Sequence, residues 1–163
     1  MPDNYSQIIA HVPFDDVETK FATMFEVECQ LTLQAAPGIH IYGDVTDDLP
    51  SKLVNPIKDV IRNIGCHIPQ CRVDIMVHRI GVYVDANASR SNHHGTMYYA
   101  SRDIEAAIVI AILAASGQIT LPADTSIWTT RLSLDGRFRG NVDFDGIEGL
   151  IKHLQQLAAD ERS

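Results

Sequence analysis

At 163 residues, 45% hydrophobic and 21% charged, the chain suits one globular domain that buries about two-thirds of its unfolded surface, so a core needs neither metal nor disulfide. Its formal charge of −8 opposes strong non-specific duplex binding, which requires a basic face that releases counterions. No run of about 18 apolar residues is present to cross a membrane, and Met1-Pro2-Asp3-Asn4 lacks the basic-then-apolar pattern of a secretory leader; a cytoplasmic protein is expected.

Residues 1–20 are polar and broken by Pro2 and Pro13, which predicts an N-terminal arm ahead of a single domain over 21–163. From Phe25 to Leu33, apolar Phe25, Val27, Cys29, Leu31 and Leu33 alternate with polar residues, the period of a half-buried strand. Ala36-Pro37-Gly38 makes a turn and Ile39 to Gly43 the returning strand. Asp47 and Asp48 offer oxygens to the free N–H groups of a helix whose first turn admits Pro50. Leu53, Ile57, Val60, Ile61 and Ile64 then follow helical spacing to Gly65, with Pro56 expected to kink or restart the helix. Val73 to Val77 and Ile80 to Val84 read as two strand pieces.

Asn87 to Tyr99 is a polar loop of a length often tied to function. Ser101 is placed to cap the next helix, with Asp103 and Glu105 near its positive end. From Ile104 to Ala115 almost every residue is apolar, which predicts a helix buried all round whose alanines allow a sheet to approach. Ser126 to Leu134 is a predicted strand, Asp135-Gly136 a type I′ hairpin signal, and Phe138 the start of the partner strand. Ile147, Leu150, Ile151, Leu154 and Leu157 mark a C-terminal amphipathic helix. Strands and helices are mixed without repeats, so the fold class is α+β rather than a regular βαβ alternation.

Several residues invite a chemical reading beside a plainer one. Cys29, Cys66 and Cys71 form no disulfide framework, and Cys66-His67 with Cys71 lacks an evident fourth zinc ligand, so the thiols are read as packed and no metal is assigned. His93 and His94 are adjacent imidazoles that could share a metal with Asp85 or Asp103, but sequential loop neighbours rarely converge on one ion. The charge is uneven: residues 1–61 hold three Lys/Arg against ten Asp/Glu, whereas 62–139 hold eight against six. The basic members of that middle third are all arginines, among them Arg90, Arg102, Arg137 and Arg139, suited to planar phosphate or carboxylate recognition. Together with His93 and His94 these are the candidate binding residues, with a solvated surface as the plainer reading. Trp128 and the pair Tyr98-Tyr99 are read as core and loop anchors rather than base-stacking platforms.

Two strings, Leu113-Ala114-Ala115-Ser116-Gly117-Gln118-Ile119 and Leu132-Ser133-Leu134-Asp135-Gly136-Arg137-Phe138-Arg139, in this order and at this separation, resemble the N-terminal domain of magnesium-chelatase-like ATPases of the bacterial ComM type. Upstream, Gly38 to Gly43 resembles the family's Pro-x-Phe-x-Ile-Val-Gly strand. Ile57 to Gly65 resembles its helix ending in Asn-Ser-Gly, and Cys71 to Val77 its Lys-Arg-Ile-Thr-Val-Asn-Leu strand. The resemblance spans residues 25 to 157 by motif order. It implies a ribosomal-protein-like two-layer sandwich, a mixed or antiparallel sheet with helices on one face and one helix fully buried, as also used by Lon proteases and GHMP kinases.

The relatives' motor opens with a phosphate loop, G-x-x-x-x-G-K-[ST], and this sequence contains none, so neither ATP hydrolysis nor a cofactor is carried over. Lon-type proteases place a nucleophilic Ser within Gly-Pro-Ser-Ala-Gly before the buried helix and a Lys near the last one. Ser101 and Lys152 are the matching candidates, without the glycines and with Asp103 and Glu105 crowding the serine. The expectation is therefore a non-catalytic binding or adaptor module acting through a protein partner, for instance an ATPase, or through a homo-oligomer. A nucleic-acid module using the arginines and a residual Ser/Lys hydrolase are the alternatives.

Overall fold

The computed structural model describes residues 4–13, 21–84, 100–140 and 142–162. In chain order these form β1 (Tyr5–Pro13), β2 (Phe21–Thr32), β3 (Gly38–Gly43), α1 (Leu49–Asn63), β4 (Arg72–Val84), a 3-10 turn (Arg102–Ile104), α2 (Glu105–Ala115), β5 (Ser126–Trp128) and α3 (Ile147–Glu161). The strands make one mixed sheet in the order β3-β4-β2-β1-β5. β1–β2 and β2–β4 are antiparallel, while β3–β4 and β1–β5 are parallel. The fold is α+β, with the helices packed on one side of the sheet.

Alternation sets the two sides. Ile8 and Ala10 of β1, Phe25, Val27, Cys29 and Leu31 of β2, Ile39 and Ile41 of β3, and Val73, Ile75 and Val77 of β4 are buried in one core. A strand turns successive side chains to opposite faces, so the residues between them line the other face of the sheet. α2 fills the core: all its residues except Ala114 are buried. Its backbone comes close enough to β1 for Ser6 Oγ to donate to Ala111 O at 2.5 Å.

Of the stretch expected as an N-terminal arm, Tyr5–Pro13 lies inside the sheet between β2 and β5. Tyr5, Gln7 and His11 lie on the face that no described helix covers, while Ser6, Ile8 and Ala10 turn to the buried side. β3 is not the hairpin return of β2: β4 lies between them and matches β2 over its whole length, which outweighs the shorter β3. β3, α1 and β4 instead form a parallel crossover. β4 is one strand rather than two pieces, with Ile80 the extra residue where Met24 pairs Gly81 and Phe25 pairs Arg79.

α1 runs unbroken through Pro56. Losing one N–H costs a helix interior about 3 kcal/mol, whereas Leu49, Leu53, Ile57, Val60 and Ile61 are all buried, at about 1.5–3 kcal/mol for each side chain. Packing wins. Asp48 holds the N-cap position without a side-chain cap bond; its carboxylate accepts from Thr46 Oγ1 at 2.9 Å and pairs with Lys52 Nζ at 2.7 Å.

The strand expected to reach Leu134 stops at Trp128. Thr129 Oγ1 turns to Asp103 O at 3.2 Å and Thr130 Oγ1 accepts from Gly140 N at 3.2 Å, and beyond them the described residues form the isolated bridges Leu132–Phe138 and Arg137–Gly146 rather than a strand pair. At the following turn Gly136 takes φ +89° and Asp135 keeps negative φ. The turn is therefore not type I′, which needs positive φ at both central residues.

Candidate functional site

Polar chemistry gathers at the start of α2. Ser101 Oγ accepts from Asp103 N at 3.3 Å and donates to Asp103 Oδ2 at 2.6 Å, and Asp103 Oδ1 accepts from Arg131 N at 3.1 Å. Arg102 Nε donates to Glu105 Oε1 at 2.6 Å. Burial pushes the Glu105 carboxyl above its ordinary range, against the opposing pull of Arg102 and Arg131. Glu105 Oε2 and Arg131 Nε are buried and meet no hydrogen-bond partner among the described residues.

Ser101 is thus a cap, as its sequence position predicts. Lys152 lies exposed on α3, and no hydrogen bond or ion pair among the described residues joins it to Ser101. The burial of Glu105 is invisible in the sequence, where it reads as a dipole-compatible acid. The available signal is Arg102 one turn before it, followed by an unbroken apolar run.

The three described candidate arginines, Arg102, Arg137 and Arg139, have separate partners. Arg102 is committed to Glu105. Arg137 Nε lies 3.8 Å from Asp135 Oδ2, and Arg139 Nε donates to Ser133 Oγ at 3.1 Å, both on the exposed turn after β5. The groove of about 440 Å³ beside that turn is lined by Asp135, Asp143, Asp145 and Glu148 as well as Arg137, so a phosphate there would meet carboxylates. Arg90, His93, His94 and the Tyr98-Tyr99 pair lie outside the described residues. Cys29, Cys66 and Cys71 are free thiols, and burial pushes Cys29 up to about 12. Among the described residues no group of three or more His, Cys, Asp or Glu is placed to hold a metal ion.

The face of the sheet that no described helix covers gathers a second set of polar and aromatic side chains. Register sets Tyr5 beside Gln30, Gln30 beside Asp74 and Asp74 beside His40; the next row holds Gln7, Glu28, Met76 and Tyr42. Tyr5 Oη donates to Glu28 Oε1 at 2.7 Å. That bond to the carboxylate, with burial and the charges of Glu28 and Glu26, pushes the phenol up to about 12. Arg72 grips Asp74 through Nε at 3.1 Å to both oxygens and reaches Tyr42 Oη through Nη2 at 2.9 Å. At the β5 edge His11 stacks on Trp128, centroids 5.1 Å apart, with its Nε2 2.6 Å from Ser126 Oγ. Burial lowers the His11 pKa. A cavity of about 170 Å³ opens beside Trp128, between β5 and Leu150, Leu154 and Leu157 of α3.

Trp128 is therefore not a core anchor: it is 39% exposed, with Tyr5 and Tyr42 at 41% and Met76 at 44%. The covered positions of these strands read clearly as core. The signal missed is what alternates with them, where aromatic and Met residues stand in places a solvated sheet fills with Lys, Thr or Glu.

No helix of the described residues is long and apolar enough to cross a membrane. No family model and no curated protein matches the chain.

Proposed function

We propose that the chain is a non-catalytic binding or adaptor module, related to the N-terminal domain of chelatase-like ATPases, which docks a protein partner on the uncovered face of its sheet. The observation that carries this reading is the set Tyr5, Tyr42, Met76 and Trp128, each about two-fifths exposed on one face. Aromatic residues and Met are enriched at protein interfaces, and Tyr and Trp dominate their hot spots. Paired ions on the same face, Arg72 with Asp74, supply a polar complement that keeps the free domain soluble.

Charge selects the partner. The face carries Glu26, Glu28 and Asp74 against Arg72, in a chain of −8, which favours a basic protein surface and disfavours a nucleic-acid strand stacking on the same rings. The resemblance makes an ATPase subunit the first partner to test.

A photo-crosslinking residue at Tyr42 or Met76, set against one at Lys152 on α3, tests the reading in the source cell. The expected product is one adduct formed from the sheet face and not from α3. The captured protein, once purified, is expected to bind the chain and to lose about tenfold or more in affinity to Tyr42→Ala or Met76→Asp. Equal capture from both faces, or affinity indifferent to the two substitutions, rejects docking on this face.

A further inference from the structure

β3 is an outer strand of the sheet, and among the described residues nothing pairs with its far side. Its ladder to β4 is anchored where Gly38 N donates to Cys71 O at 3.4 Å and Asp44 N donates to Val77 O at 2.8 Å. In a parallel ladder alternate residues bond to the neighbour. These anchors commit the even-numbered residues to β4 and turn outward the N–H and C=O groups of Ile39 and Ile41 and the N–H of Gly43, whose C=O accepts from Val45 N at 2.8 Å. Natural edges are guarded by charge, especially Lys, by Pro or by a bulge. The run Gly38-Ile39-His40-Ile41-Tyr42-Gly43 contains no Pro and no Asp, Glu, Lys or Arg, and no bulge interrupts its pairing.

We propose that β3 pairs antiparallel with β3 of a second copy of this chain, about a two-fold axis at Ile41, joining two sheets into one. Opposed residues of an antiparallel pair share a face, so the axis must fall on a residue. With Ile41 on the axis, its outward N–H and C=O exchange bonds with their counterparts, and Gly43 N–H meets the partner's Ile39 C=O. His40 then stands opposite the partner's Tyr42 on the uncovered face. Placing His40 on the axis also matches faces, but sets His40 against itself and Gly38 against Tyr42, losing the aromatic pair. Within one chain His40 and Tyr42 are already stacked, centroids 6.4 Å apart and 14° between planes, so the joined sheet continues that ladder across the axis.

A second copy fits this strip better than a charged foreign strand. Two chains of −8 repel over most of their surfaces, and β3 is a stretch where they meet without a formal charge. Because repulsion elsewhere opposes assembly, screening favours it. The pairing uses the sheet's edge and shares only Tyr42 with the docking face, so Met76, one strand in from that edge, is the residue that reports docking alone.

Sedimentation equilibrium of the full chain tests the proposal. The expected result is a monomer–dimer equilibrium that shifts toward dimer as salt is raised. The double variant His40→Lys/Tyr42→Lys, which sets lysines face to face across the axis, is expected to stay monomeric with an unchanged circular dichroism spectrum. A second double variant, His40→Cys/Tyr42→Cys, is expected to form a covalent dimer on mild oxidation, absent from either single variant. Opposed residues of this non-hydrogen-bonded type lie about 4.5 Å apart at Cα, within disulfide reach.

A wild-type chain that remains monomeric at every concentration overturns the proposal. So does a dimer that survives the lysines and yields no disulfide; if the lysine variant fails to fold, the disulfide decides. A monomer that still captures a partner at Met76 sinks the edge pairing alone, and a dimer that captures nothing sinks the face docking alone.

Discussion

Arg102 Nε lies 2.6 Å from Glu105 Oε1, and the carboxylate so held is enclosed to 1% exposure while its arginine keeps 26%. The charge is thus buried at one end only, at the mouth of a helix otherwise built from apolar side chains. Removing the exposed partner strands the enclosed one. Arg102→Ala is expected to cost about 3 kcal/mol or more, and replacing both residues by Leu and Met less than that single change. Urea unfolding midpoints check this; a double variant no better than Arg102→Ala would show that the pair is not the unit.

Glu105 also makes stability depend on pH. Burial raises its folded pKa above the ordinary 4.5 despite Arg102 and Arg131, so the folded chain holds the proton more tightly than the unfolded one. Its contribution is fully present below 4.5 and is lost as pH rises through the folded value. Wild type is therefore expected to lose ground against Glu105→Gln as pH climbs from about 4 to about 8. A stability difference that stays flat over that range contradicts the sign.

His11 works in the opposite direction and has a built-in reporter. Burial lowers its pKa from 6.5; the stability it supplies is present above 6.5 and is lost as pH falls through the folded value. The protein has one tryptophan, and Trp128 stacks on the His11 ring at 5.1 Å. A fluorescence titration is expected to show a midpoint below 6.5 that disappears in His11→Asn and persists in His153→Asn. A midpoint at or above 6.5 would mean that the ring is solvated.

Packing of α2 should be intolerant in both directions. Ala111 is fully buried, so Ala111→Leu must displace the groups packed around it and is expected to cost about 1–3 kcal/mol. Ile110→Val removes one methylene from a residue that is also fully buried and is expected to cost about 0.5–1.5 kcal/mol. Unfolding midpoints that place the leucine variant level with wild type would show slack where the structure has none.

The core was legible because its signals are periodic and local: the alternation of β2, the helical spacing of α1 and the unbroken apolar run of α2 each survive in the structure. Pairing was not. Whether β3 neighbours β2 or β4 depends on a competition between strand lengths that no local pattern records, and β1 hid because Ile8 and Ala10 are its only buried apolar residues, with polar Ser6 as the third inward position. The candidate site failed for a related reason. Tyr5, Tyr42, Met76 and Trp128 are scattered over four strands and share a surface only once the sheet order is known, whereas Arg102, Arg137 and Arg139, which stood out by type, are each tied to a local acid or hydroxyl.

Two glycines with similar backbones separate strain from space. Gly43 has φ +104° and Gly65 φ +81°, both in the left-handed region. A Cβ on Gly65 would meet nothing within 4 Å, whereas on Gly43 it would run into the main-chain oxygen of Val77. Gly65→Ala therefore bears only the conformational penalty of an L-residue, about 1–2 kcal/mol. Gly43→Ala bears that penalty and must also part β3 from β4, so it is expected to destabilise more. It should raise amide exchange at Asp44, whose N–H bonds the same Val77 oxygen at 2.8 Å. Equal losses in the two variants, with Asp44 exchange unchanged, would mean that the close approach of β3 to β4 at Gly43 carries no weight in holding that edge.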